Sequence, residues 1–228
     1  MAELTYFYGT MNCGKSTLAL QIHHNAVVAG KHCLLFTKHD RGGGRITSRI
    51  GLAQDAVVVT DVLDLAAYVS SVTSGGQPVD VVICDEAQFY LPEQIEQLAW
   101  LVDELEVDVQ AFGLLTDFTT QLFPGSRRLL ELADRRQELQ VEARCWCGER
   151  GTHNARTVGG AIQRQGQQVV VGDLPQASLE TGEVPAVAYE VLCRRHHRLG
   201  TTRAVADRQP EEERGHTQLR VAGSRESR

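Results

Sequence analysis

One stretch of this chain constrains its fold more than any other. Gly9-Thr10-Met11-Asn12-Cys13-Gly14-Lys15-Ser16 fits the spacing G-x-x-x-x-G-K-[ST]. It stands between LTYFY (4–8), a short aromatic and β-branched run, and an apolar-periodic stretch from Lys15 to about Val28 that Gly30 closes. A strand before and a helix after is the context such a loop needs to cradle phosphate. The glycines let backbone N–H groups approach phosphate oxygens that a Cβ would block, and the helix that starts there adds its positive end. Lys15, one of three lysines with Lys31 and Lys38, reaches the β- and γ-oxygens, and the Ser16 hydroxyl suits Mg²⁺. Gly9 to Ser16 are therefore the candidate nucleotide-binding residues, with Mg²⁺ expected on the phosphates.

A phosphate loop needs a second acid to position the metal. VDVVICDE (79–86) is a nearly continuous apolar run ending in acids, as expected of a strand buried on both faces of a parallel sheet. Ligands in such sheets bind beyond the carboxyl ends of the strands, so Asp85 and Glu86 both belong at the nucleotide. Asp85 is the magnesium partner through water, and Glu86 can take a proton from an attacking hydroxyl or orient a water. CLLFTK (33–38), DAVVVT (55–60) and DVQAFGLL (108–115) read as further strands. Helices are expected through LDLAAYVSSV, with Asp61 and Asp64 three residues on as its N-cap signal, and over 92–107 behind Pro92. This βαβ rhythm predicts an open parallel α/β sheet flanked by helices.

The pattern changes near residue 140. Over 145–198 the chain is punctuated by Gly, Cys and Arg, with one strand-like segment (QQVVVG, 167–172) and no long helical pattern. The expected organisation is a P-loop nucleotide-binding domain over 1–140, a small second domain over 141–200 and a disordered polar tail over 201–228. No run nears the roughly 18 apolar residues of a membrane span. The N-terminus lacks a signal-peptide pattern, so a cytoplasmic protein is expected. With 23 Lys+Arg against 29 Asp+Glu, the net charge of −6 argues against a protein that coats nucleic acid.

In a chain with no export signal, cysteines read as thiols or metal ligands. Cys145-Trp146-Cys147 and Cys193-Arg194-Arg195-His196 offer four ligands, two from each of two turns, the number and type that closed structural zinc sites take. The first pair is C-x-C and not the commoner C-x-x-C. His197 stands beside His196 as an alternative ligand, although spacing favours His196, and His153 is left to solvent.

Asp85-Glu86-Ala87-Gln88-Phe89, taken with the phosphate loop, resembles the type II thymidine kinases, small cytosolic zinc-containing deoxynucleoside kinases. Ala111-Phe112-Gly113-Leu114-Leu115-Thr116-Asp117-Phe118, then Leu122-Phe123-Pro124-Gly125-Ser126 and Leu129-Leu130, match the family's next strand and loop, and the resemblance runs over about residues 3–200. It implies a RecA-like P-loop sheet carrying a small zinc-binding lasso domain. It implies ATP-dependent phosphorylation of the thymidine 5′-hydroxyl, with Glu86 as general base and Gln88 grouped with the nucleotide-binding residues. Met11, Leu114, Phe118 and Tyr189 match positions that wall the base pocket, and Phe89 matches another aromatic near the substrate. Val170, Val171 and Gly172 match the lasso strand whose main chain meets the thymine edge. Arg156 matches a basic lasso position, and Asp40 with Arg41 loosely matches a pair in a flexible loop. A C-x-C paired with C-x-x-H occurs in one bacterial branch, which supports zinc on Cys145, Cys147, Cys193 and His196. The resemblance also implies a homotetramer inhibited by dTTP, with no nucleic-acid or membrane partner. Leu115 departs from the Asp that many members carry there.

Two other readings compete. Asp85-Glu86-Ala87-Gln88 also looks like a helicase-type box, which would make the chain an ATPase acting on nucleic acid. That reading requires a second ATPase half and a basic strand-binding groove, and the length and charge supply neither. A zinc-ribbon binding module with a vestigial P-loop leaves Lys15, Ser16, Asp85 and Glu86 intact for no reason.

Overall fold

A computed structural model describes residues 1–38, 44–139, 141–168 and 187–208. The chain divides into two compact units, Met1–Ala143 and Arg144–Arg228. In chain order the first holds β1 (Leu4–Gly9), α1 (Lys15–Val28), β2 (Cys33–Thr37), β3 (Arg45–Thr47), β4 (Ala53–Asp55), β5 (Val57–Val58), α2 (Leu65–Ser74) and β6 (Val81–Asp85). A single 3₁₀ turn over Ala87–Phe89 follows, then α3 (Pro92–Leu105), β7 (Asp108–Leu114), α4 (Pro124–Leu132) and β8 (Arg135–Glu138).

Six strands pair in the order β5-β2-β6-β7-β1-β8, every pair parallel. The near-continuous apolar runs are explained by burial on both sides. Leu4 and Tyr6 of β1, Phe36 of β2, Val82 and Cys84 of β6 and Val109 and Ala111 of β7 enter one apolar cluster with Leu98 and Leu101 of α3 and Leu129 of α4. Their neighbours Phe7, Leu35, Val81, Ile83 and Phe112 enter a second cluster with Ala19 and Leu20 of α1. Alternate side chains of one strand thus serve opposite faces.

Local chemistry sets the helix starts. Asp64 caps α2 by accepting the Ala67 N–H at 2.9 Å, while Asp61 instead accepts from the buried Lys38 ammonium at 2.6 Å. Pro92 opens α3, where Gln94 Oε1 accepts the Leu91 N–H and its amide nitrogen donates to the carbonyls of Thr60 and Leu63. The strand expected over 55–60 is corrected. Ala53–Asp55 pairs antiparallel with Arg45–Thr47 in a hairpin, and only Val57–Val58 joins the large sheet.

The second unit holds β9 (His153–Val158), β10 (Ala161–Ile162), β11 (Val187–Leu192), α5 (Arg194–Leu199) and α6 (Arg203–Arg208). Its strands form an antiparallel sheet in the order β10-β9-β11, where the sequence pattern had offered one strand over 167–172. Gln167 and Gln168 are not in a strand, and 169–172 lie outside the described residues. The unstructured tail expected from residue 201 is corrected at its start. Thr202 accepts the N–H groups of Val205 and Ala206 through its hydroxyl and carbonyl, Glu190 accepts the Arg203 N–H, and α6 forms with Ala206 buried. Residues 209–228 lie outside the described residues.

Candidate active site and metal centre

The phosphate loop joins the carboxyl end of β1 to the first turn of α1, with Gly14 left-handed at the helix cap (φ 84°). Lys15 is buried, and its ammonium donates to the Thr10 carbonyl at 2.8 Å, folding back over the loop where phosphate oxygens would otherwise receive it. Cys13 is buried beneath the loop, its sulfur 3.8 Å from the same nitrogen. Gly9 has no room for a side chain, because a Cβ there would stand 2.5 Å from that sulfur.

Strand β6 brings its acids to the same end of the sheet. The Ser16 hydroxyl donates to Asp85 Oδ2 at 2.7 Å, and the Glu86 N–H donates to Asp85 Oδ1 at 3.0 Å. Asp85 is only 4% exposed, and its carboxyl is pushed up to about 7. Burial is the largest cause and the Glu86 charge the next, opposed by the Ser16 hydroxyl, the Glu86 N–H and Lys15. A hydroxyl and a carboxylate in contact beside a phosphate cradle are hard oxygen donors, so the residues fit a magnesium ion.

Glu86 leaves the strand with a left-handed backbone (φ 53°, ψ 34°). A non-glycine residue held there costs on the order of 1–3 kcal/mol, and such positions cluster at active sites. Gln88 is 1% exposed: its amide nitrogen donates to Glu86 Oε2, and its Oε1 accepts the Leu114 N–H at 3.0 Å. The Leu114 carbonyl in turn accepts the hydroxyls of Tyr6 at 3.0 Å and Ser126 at 2.5 Å.

The expected base-pocket residues of this unit take different settings. Met11, Phe89 and Leu114 are half-buried, whereas Phe118 is buried. Phe89 meets Phe123 edge to face at 5.5 Å. Asp117 is a feature the sequence reading missed. Its Oδ1 accepts from the Thr119 N–H, the Thr119 hydroxyl and the Gln121 N–H, which ties the loop after β7 to itself. The Asp-x-Thr spacing is the signal that could have found it. Leu115 packs against the apolar core. Asp40 and Arg41 lie outside the described residues.

In the second unit the ligand atoms of Cys145, Cys147, Cys193 and His196 all lie within 4.8 Å of one another. His196 Nδ1 stands 3.4 Å from the Cys145 sulfur and 3.5 Å from that of Cys193. Ordinary zinc bond lengths space tetrahedral sulfur and nitrogen ligands by about 3.6 Å, so the residues fit zinc. Burial and the nearby Arg195 lower the His196 pKa, favouring the neutral imidazole that binds metal, and burial pushes the Cys145 thiol up to about 11. The Trp146 ring stacks on His196 at 4.2 Å, and its N–H donates to the Thr201 carbonyl. His197 is outside this group and accepts through its carbonyl from Arg164.

Arg156 is 5% exposed and bridges within the same unit, donating to the Tyr189 hydroxyl at 3.2 Å and to the carbonyls of Gln167 and Gln168 at 2.6 and 3.2 Å. Tyr189 is half-buried on β11, opposite Arg156 in the register. Val170, Val171 and Gly172 lie outside the described residues.

A parallel sheet that delivers a phosphate loop and two acids to one end is how P-loop nucleotide-binding enzymes are built. The pattern that defines the family "Thymidine kinase" matches residues 2–197. The thymidine kinase of Streptomyces coelicolor is 59% identical over 207 residues, which cover 90% of this chain and 93% of that protein. That of Cutibacterium acnes is 54% identical, covering 89% and 91%, and that of Ruegeria pomeroyi 42% identical, covering 88% and 96%. The chain belongs to the thymidine kinase family. Among solved structures, the Pif1 helicase from Candida albicans aligns over 60% of this chain and 36% of its own with a TM-score of 0.38 and 15% identity. Bacteroides Pif1 bound to ssDNA aligns over 60% and 38% with a TM-score of 0.35 and 14% identity. No helix among the described residues is long and apolar enough to cross a membrane.

Proposed function

We propose that this chain transfers the γ-phosphate of ATP to the 5′-hydroxyl of thymidine, giving dTMP and ADP. The observation that carries the reading is membership of the thymidine kinase family over residues 2–197, and the carboxylate pair beside the phosphate loop supplies the chemistry it needs. Asp85 is buried and held by the Ser16 hydroxyl, and Glu86 is half-buried and set apart by a left-handed backbone.

Phosphoryl transfer asks for positioning and charge stabilisation more than covalent chemistry. The backbone N–H groups of residues 9–16 hold the phosphate chain, and Lys15 exchanges the Thr10 carbonyl for phosphate oxygen. Ser16 and Asp85 would hold a magnesium ion, which supplies charge neutralisation on the β- and γ-phosphates. Glu86 accepts the proton of the attacking hydroxyl, which raises the nucleophilicity of that oxygen as its bond to phosphorus forms. Met11, Phe89 and Leu114 offer half-buried apolar surface for a nucleoside base. Within the second unit, Cys145, Cys147, Cys193 and His196 would hold a structural zinc ion that ties α5 to the turn over 145–148. Arg156 there fixes the Tyr189 hydroxyl and the main chain at 167–168, where the stretch likened to the lasso begins.

The test is ADP release from Mg-ATP with no acceptor, with thymidine, with the other nucleosides and with single-stranded DNA. Stimulation by thymidine above the other acceptors supports the reading. Stimulation by DNA alone would replace it with the nucleic-acid ATPase.

A further inference from the structure

We infer that Gln88 is a positioning residue for the Glu86 carboxylate, one side chain joining the carboxyl ends of β6 and β7. The inference rests on the reading of Glu86 as the group that takes the nucleoside's proton. The amide can face only one way. The Leu114 N–H is a donor and requires the amide oxygen, so the NH₂ is left facing Glu86 Oε2, to which it donates. At 1% exposure the amide is turned inward between these two partners.

The far end of the bridge is itself fixed. The Leu114 carbonyl takes the Tyr6 hydroxyl from β1 and the Ser126 hydroxyl from α4, so the main chain of this one residue is held through its N–H by Gln88 and through its carbonyl by two further elements. Neighbouring glycines make the room. A Cβ on Gly113 would stand 2.8 Å from Gln88 Oε1, and one on Gly125 would stand 2.6, 2.9 and 2.7 Å from the carbonyls of Ala87, Gln88 and Tyr90. A carboxylate on a left-handed residue at a strand end has few local restraints of its own, and this bridge supplies one. Misplacing a reacting group by about 1 Å costs on the order of 100-fold in rate.

The experiment is a kinetic cycle on the full chain: wild type, Glu86→Gln, Gln88→Met, Gln88→Asn and the double variant Glu86→Gln/Gln88→Met, each with a thermal melt. Gln88→Met is expected to lower kcat about 10–100-fold while KM for ATP stays within about threefold. The double variant is expected to be no more than about twofold slower than Glu86→Gln alone, since a residue acting through Glu86 has nothing left to position. If Gln88→Met fails to fold, Gln88→Asn, one methylene too short to span both partners, takes its place in the same cycle. Effects that multiply in the double variant, a kcat within twofold of wild type, or a loss confined to KM for ATP would each overturn the inference. Wild type without thymidine-dependent dTMP formation would instead remove the reading of Glu86, and the inference with it.

Discussion

Asp85 and Glu86 are neighbours in sequence, yet the fold surrounds them differently. Asp85 ends β6 in the interior, and Glu86 turns out of the strand. If Glu86 is the proton acceptor, Glu86→Gln lowers kcat by about two to four orders of magnitude with ATP binding nearly unchanged. Turnover near wild type would take Glu86 out of the chemistry. Burial makes Asp85 a cost to the empty protein. Its folded value of about 7 lies above the usual carboxylate range, so between about pH 4 and 7 the folded chain keeps a proton that the unfolded chain has lost. Stability must therefore fall as pH rises through that window. Without nucleotide or added Mg²⁺, the melting temperature of wild type is expected to drop several degrees relative to Asp85→Asn between about pH 5 and pH 8. Parallel curves would contradict this. Both carboxylates were legible in the sequence because a strand end beside a P-loop has a known direction. The bridge through Gln88 was not, since its partner is the main chain of Leu114, 26 residues away, and backbone groups leave no mark on sequence.

Elements were legible where burial dictates composition. Helix α1 runs over Lys15–Val28 as the apolar period indicates, and β6 and α3 keep within the stretches 79–86 and 92–107. Elements that bury little left no such trace. Strand β8 is Arg-Arg-Gln-Glu, exposed throughout on the sheet edge, where charge discourages pairing with another chain. Strand β9 reads HNARTV, and its buried positions include Asn154, Arg156 and Thr157, polar residues a hydrophobic pattern cannot flag. The turn at 87–90 gives the element-scale prediction. Gly125→Ala drives a methyl group into three carbonyl oxygens and is expected to cost about 1–3 kcal/mol in denaturant unfolding, with kcat reduced through the displaced turn. An unchanged unfolding midpoint would show that the turn is held more loosely than these distances indicate.

At the scale of the whole molecule, the two units rest on different physics. Met1–Ala143 has two extensive apolar clusters, one on each face of its sheet. Among the described residues of Arg144–Arg228 there is a small cluster of Cys145, Ala155 and Leu192, with Trp146, Ile162 and Cys193 packed against it. A cluster of that size among the described residues gains from a staple, and the Cys145, Cys147, Cys193 and His196 group is the candidate. The purified protein is expected to carry one zinc ion per chain by elemental analysis. Cys193→Ser is expected to lose it and to lower the melting temperature of the second unit by on the order of 10 °C. Full stability without bound metal would show that the apolar cluster suffices. The Cys and His spacing was legible in the sequence, and the structure groups His196 rather than His197 with the three cysteines, its Nδ1 lying near the Cys145 and Cys193 sulfurs. The proposed function makes a more direct claim, that phosphate passes to a nucleoside and not to water. One reaction of wild-type protein with Mg-ATP and thymidine, followed by phosphorus NMR, tests it. We predict dTMP and ADP appearing in equal amounts with no accumulation of inorganic phosphate. ADP accompanied by inorganic phosphate, with thymidine unchanged, would contradict it.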